Sequence, residues 1–101
     1  MQTVIYNGRE LEIRRSTYRN NNALAVYFVD QDGDYYGDVT KNLANSHTLP
    51  SDCAYVDENN LPGLGESLEE AGAARRLNQS AQSGFCRYFV YQFNLGLVEE
   101  D

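Results

Sequence analysis

The sequence predicts an α+β domain, a mainly antiparallel sheet of about five or six strands with one short helix packed on one face. Three observations carry this expectation. The stretch from Ala23 to Leu43 sets an apolar run, Leu24 to Val29, before an acidic turn, Asp30 to Asp34, and a second run, Tyr35 to Thr40. Asn7-Gly8 supplies the two positive φ values of a type I′ hairpin turn. Leu61, Leu64 and Leu68 fall at helical spacing in a chain whose eight tyrosines and four phenylalanines otherwise favour strands.

In chain order, Thr3 to Tyr6 reads as a first strand and Arg9 to Arg19 as its return, with Leu11 and Ile13 on one face and Glu10, Glu12 and Arg14 on the other. Asn20-Asn21-Asn22 breaks that strand, because these side chains bond their own backbone and tolerate left-handed conformations. The run Leu24 to Val29 is apolar at every position and therefore reads as a central strand covered on both faces. Its partner alternates, Tyr35 and Val39 against Tyr36, Asp38 and Thr40. Asn42 to Asp52 has no usable period and reads as a loop, followed by a short strand, Cys53 to Val56. Pro62 and Gly72 bracket a helix from near Leu61 to Ala71. Gly63 and Gly65 weaken its first turn by about 1 kcal/mol each, which allows a start as late as Leu64. Residues 73 to 84 are small and polar and read as a long connector, Phe85 to Leu95 as an interior strand, and residues 97 to 101 as a frayed acidic tail.

A chain of 101 residues is expected to form one domain, residues 1 to 101, and to need neither disulfides nor metal. Met1-Gln2-Thr3 lacks the basic start of a signal peptide and no apolar run approaches a membrane span, so the expected location is cytoplasmic. There Cys53 and Cys86 read as buried thiols. The net charge is −7, and it is uneven: residues 1 to 19 hold four arginines against two glutamates, a balance of +2, leaving −9 elsewhere. Such a field repels phosphate backbones and favours a protein partner with a basic surface.

No motif points to a catalytic centre or a cofactor. Asp30, Asp32 and Asp34 suggest a calcium loop, but an EF-hand starting at Asp30 would need glycine and glutamate where Tyr35 and Lys41 stand. A hairpin turn explains the same residues. His47 is the sole histidine, and the two cysteines lack zinc spacing, so no metal site is expected. A cysteine nucleophile at Cys86 or Cys53 is an alternative that no neighbouring motif supports. Gly63-Leu64-Gly65 lacks the third glycine of a dinucleotide loop, Leu68 standing in its place.

The segments Tyr27 to Tyr36, Cys53 to Asn60 and Ser83 to Tyr88, leading to Tyr91-Gln92-Phe93, resemble a small uncharacterised bacterial family associated with conjugative and other mobile elements. The resemblance implies a genomic setting and brings no catalytic residues. The expected role is a non-enzymatic accessory or interaction protein. An acidic, nucleic-acid-mimicking inhibitor of a host defence nuclease, of anti-CRISPR or anti-restriction type, is the alternative, and a small cysteine-dependent enzyme the next. The expected contact surface comprises Asp30, Asp32, Asp34, Asp38, Glu66, Glu69 and Glu70, with Arg75 and Arg76 as the adjacent basic pair.

Overall fold

The structure is a computed structural model that describes residues 2–100. Four strands follow one another as an antiparallel meander: β1 (Thr3–Tyr6), β2 (Arg9–Thr17), β3 (Leu24–Val29) and β4 (Tyr35–Asp38). The turn between β1 and β2 is the left-handed pair foreseen, with φ of 54° at Asn7 and 77° at Gly8. At the β3–β4 turn, the Asp30 carboxylate accepts the backbone N–H groups of Asp32 and Asp34 at 2.9 and 3.0 Å, and Gly33 takes a φ of 87°.

The chain then changes sheets. β5 (Thr40–Lys41) pairs with β6 (Cys53–Val56), and this second sheet continues through β8 (Cys86–Phe93) to β7 (Ala74–Ser83), in the order β5-β6-β8-β7. A last short strand, β9 (Glu99–Glu100), lies parallel to β2 at Arg14 and Arg15. The single sheet of five or six strands is therefore corrected to two, of five and four strands. They are hinged where the run from Tyr35 to Lys41 leaves β3 and joins β6 at Val39, whose N–H reaches Val26 while its carbonyl receives Asp57. The face assignment of that run changes too. A bulge between Phe28 and Val29 sets Val29 opposite Tyr35 and Phe28 opposite Gly37, so Tyr36 is the extra residue and alternation fails.

Leu11, Ile13, Phe28, Val56, Leu64, Leu68, Tyr91 and Phe93 meet in the main core between the sheets. β3 is fully covered on that face only: on the other, Ala25 and Tyr27 are half exposed and Val29 is buried. It is β6 and β8 that are packed on both sides: Leu43, Cys53, Tyr55, Tyr88 and Val90 form a second cluster under the 42–52 segment, which contains one 3₁₀ turn, Ser46–Thr48. His47 is exposed on that turn, Cys53 is buried and Cys86 half buried.

The helix α1 (Leu64–Glu70) is shorter than the leucine spacing suggested, because Gly63 before it adopts φ 81°. It contacts β7 and β1, so it sits beside the edge strands of both sheets. The expected connector at 73 to 84 is strand β7 instead: its backbone completes the edge of β8, and tertiary pairing outweighs a composition poor in strand formers. A register shift between Arg76 and Ser80 hides its period. Phe85, expected inside a strand, stands fully exposed in the Gly84-Phe85 turn between β7 and β8. The tail is not frayed over residues 98–100, where Val98 is buried and its carbonyl accepts Arg15 Nε at 3.2 Å. Asp101 lies outside the described residues.

Candidate functional site

The bend at Val39 leaves an open groove of about 490 Å³ along the seam of the two sheets, walled chiefly by Tyr18, Tyr35, Tyr36, Asp38, Asp57 and Asn60. Each wall follows from local structure. Thr40, buried at the start of β5, turns its Oγ1 to the Val26 N–H at 3.0 Å and to the Tyr18 hydroxyl at 2.8 Å, pinning β2's exit to the seam. The β4 bulge brings Tyr35 to the face that Asp38 occupies, opposite Val29 and Tyr27. Tyr36 turns to the other side, edge-on to Phe28 with ring centroids 6.5 Å apart, and the Arg9 guanidinium lies 5.1 Å over its ring.

Asp57 ends β6 and is only 6 % exposed. Its Oδ1 accepts the Asn60 N–H at 3.2 Å, the turn that leads to the helix. No protein donor reaches its Oδ2, and since no buried side-chain oxygen among the described residues lacks a partner, that atom meets solvent; Asp57 is one of the residues that line the groove. Burial raises the Tyr18 hydroxyl above its ordinary pKa, with Asp38 and Asp57 adding to the effect against the Thr40 bond. Tyr35 is likewise raised, by burial first and then by its bond to Asp38. Both stay neutral donors at physiological pH. Lys41 stands exposed on the rim. Among the described residues the ion pairs are Arg14–Glu12 at 2.7 Å and Arg15–Glu100 at 3.9 Å, so neither Asp38 nor Asp57 is neutralised.

The nine residues expected at the contact surface divide among separate places. Asp38 alone enters the seam groove. Asp30 and Asp32 border a shallow recess with Arg9 and Glu10 at the hairpin tip, where Asp30 is committed to its turn, and Asp34 is exposed beside them. Glu69 and Arg75 line a different groove, about 580 Å³, with Asp52, Gln92 and Asn94. In it Arg75 Nε donates to Gln92 at 3.0 Å, Gln92 donates to Asp52 at 2.9 Å, and the Glu69 carboxylate accepts the Arg76 N–H at 3.0 Å. Arg76 itself covers the Phe89 ring at 3.8 Å. Glu66 and Glu70 are exposed on α1. Tyr18, Tyr35, Tyr36 and Asp57 were not foreseen as site residues: the tyrosines read only as strand formers and the aspartate as a strand end. An aspartate at a strand terminus three residues before Asn60 was the one available signal.

Cys53 sits beside Asp52, its Sγ 3.4 Å from the carboxylate. Burial, then that carboxylate, pushes the thiol up to about 11, so it is protonated at neutral pH. Among the described residues no group of three or more His, Cys, Asp or Glu side chains could hold a metal ion, and no helix is long and apolar enough to cross a membrane.

Fold and site together define a small two-sheet α+β domain with an open acidic, aromatic groove at its seam. A family described as a domain of unknown function, DUF4313, matches residues 11–100, and the chain belongs to it. No curated protein and no solved structure matches the chain.

Proposed function

We propose that this domain is a non-enzymatic accessory protein of a bacterial mobile element and that it works by binding a protein partner with a basic surface. The observation that carries the binding role is the seam groove, where two carboxylates that form no ion pair share the lining with three tyrosines. The net charge of −7 draws basic partners and speeds their encounter. The mobile-element setting rests on the resemblance of the Tyr27 to Tyr36 and Cys53 to Asn60 segments and is tested by the genes neighbouring this one. Binding is tested by titrating the domain with arginine- and lysine-rich peptides and with neutral scrambles of equal length. Basic peptides should bind, and more weakly as salt rises. Equal response to both sets would refute the reading.

A second reading, an acidic decoy for a defence nuclease, is favoured by Asp32 and Asp34, which stand exposed at the hairpin tip without ion pairs. Nuclease inhibition that survives Asp32→Asn with Asp34→Asn would remove that tip from consideration.

A further inference from the structure

We infer that the seam groove receives an arginine side chain of the partner, a proposal that rests on the binding role above and gives it an address. Asp57 is the strongest sign. Asp57 is nine-tenths buried, its Oδ1 is bonded to the Asn60 N–H, and its Oδ2 is left without a protein donor in a residue that lines the open groove. Asp38 lines the same groove, and Lys41 at the rim forms no ion pair with either. Tyr18 and Tyr35 stand around them, and aromatic rings attract cations; Tyr36 borders the groove with Arg9 already over its ring.

Guanidinium fits these walls better than ammonium. It is planar and weakly hydrated, so it stacks on rings at small desolvation cost, and its fork of donors can serve two carboxylates at once. The chain makes this kind of contact itself: Arg9 lies over Tyr36 at 5.1 Å and Arg76 over Phe89 at 3.8 Å. The groove is open along its length, which suits a side chain delivered by a polypeptide rather than an enclosed small molecule.

The test uses N-acetyl-arginine methylamide, its lysine counterpart and its neutral citrulline counterpart, titrated while the tyrosine ring resonances are followed by NMR. The arginine compound should shift the Tyr18, Tyr35 and Tyr36 signals, the lysine compound should do so more weakly, and citrulline should leave them unmoved. Asp38→Asn, at an exposed position, should weaken the response at least about tenfold. Tyr35→Leu should weaken it as well, and Asp32→Asn, at the hairpin tip, should not. Citrulline acting like arginine, or shifts confined to other tyrosines, would overturn the proposal. So would basic peptides that bind the domain with an affinity indifferent to Asp38→Asn, an outcome that leaves the binding role standing. Failure of every basic peptide would remove both.

Discussion

Gly65 decides how closely the helix can lie on the sheet, and replacing it with alanine separates two opposed effects. Alanine is the better helix former by about 1 kcal/mol, so propensity alone makes Gly65→Ala stabilising. The seat of the helix says otherwise. A Cβ at Gly65 would run into the Tyr91 hydroxyl, then the ring Cζ at 2.8 Å and Glu58 Oε1 at 3.0 Å. Those groups cannot yield cheaply: the Tyr91 hydroxyl donates to Glu58 Oε1 at 3.1 Å, and the other Glu58 oxygen accepts the Gly65 N–H at 3.1 Å. Tyr91 is itself 3 % exposed in the main core. Overfilling such a site costs about 1–3 kcal/mol and displaces α1, so after the propensity gain the net expectation is a loss of up to roughly 2 kcal/mol. For a domain of this size that lowers Tm by up to about 15 °C. Urea unfolding followed by far-ultraviolet circular dichroism measures it. Tyr91→Phe alone gives up a bond to a carboxylate, about 1.5–3 kcal/mol. In that background Gly65→Ala should cost less than in the parent, since the atom first struck is gone; the double-mutant cycle reads the difference. A Gly65→Ala protein more stable than the parent would refute the close seating of the helix.

Three further outcomes follow from titratable groups. With its thiol pushed up to about 11 and buried, Cys53 should react with a maleimide at pH 8 at least roughly 200-fold more slowly than an unfolded cysteine, while half-buried Cys86 reacts first; peptide mapping of the labelled protein distinguishes them. Burial raises the hydroxyls of Tyr6, Tyr18, Tyr35, Tyr88 and Tyr91 above their ordinary value. Their contribution is intact below the unfolded pKa of about 10 and is lost as pH rises toward the folded values, so the domain should unfold on the alkaline side, with a shallower limb in Tyr91→Phe. A stability curve flat to pH 12 would contradict this. Asp52 is held below the usual carboxylate range by its Gln92 bond and then by Cys53, so its contribution is full above the unfolded pKa of about 4 and fades as pH falls through the depressed value. Gln92→Leu should therefore flatten the acid limb of the stability curve, and an unchanged limb would show that the bond does not couple to folding.

Local chemistry made much of the fold legible. Asn7-Gly8, the Asp30 turn, β3 and β6 stand where the residues placed them, because each depends on neighbours a few positions away. What stayed hidden depends on distant partners. Nothing in the Ala74 to Ser83 sequence favours a strand; its reason to be one is β8. β9 exists because Val98 is anchored in the core and Arg15 holds its carbonyl and pairs with Glu100. The split into two sheets turns on the path of the chain at Val39, which residue periodicity does not encode.

The site was hidden for the same reason, sharpened by a single residue. Strict alternation would set Tyr35 with Val39 and Tyr36 with Asp38. The extra residue at the β3–β4 bulge reverses this, so that Tyr35 and Asp38 share a wall while Tyr36 leans on Phe28. Asp57 then arrives from the other sheet, one residue past the end of β6, because the Val39 carbonyl takes its N–H as the chain crosses the seam. Two carboxylates 19 positions apart, the adjacent tyrosines that open β4 and Tyr18 just past the end of β2 thus share one groove only after bulge and hinge are both in place. A sequence pattern that records spacing within one strand has no means to register such a meeting, whereas a change that restores ideal alternation in β4 would take the groove apart while leaving the core composition untouched.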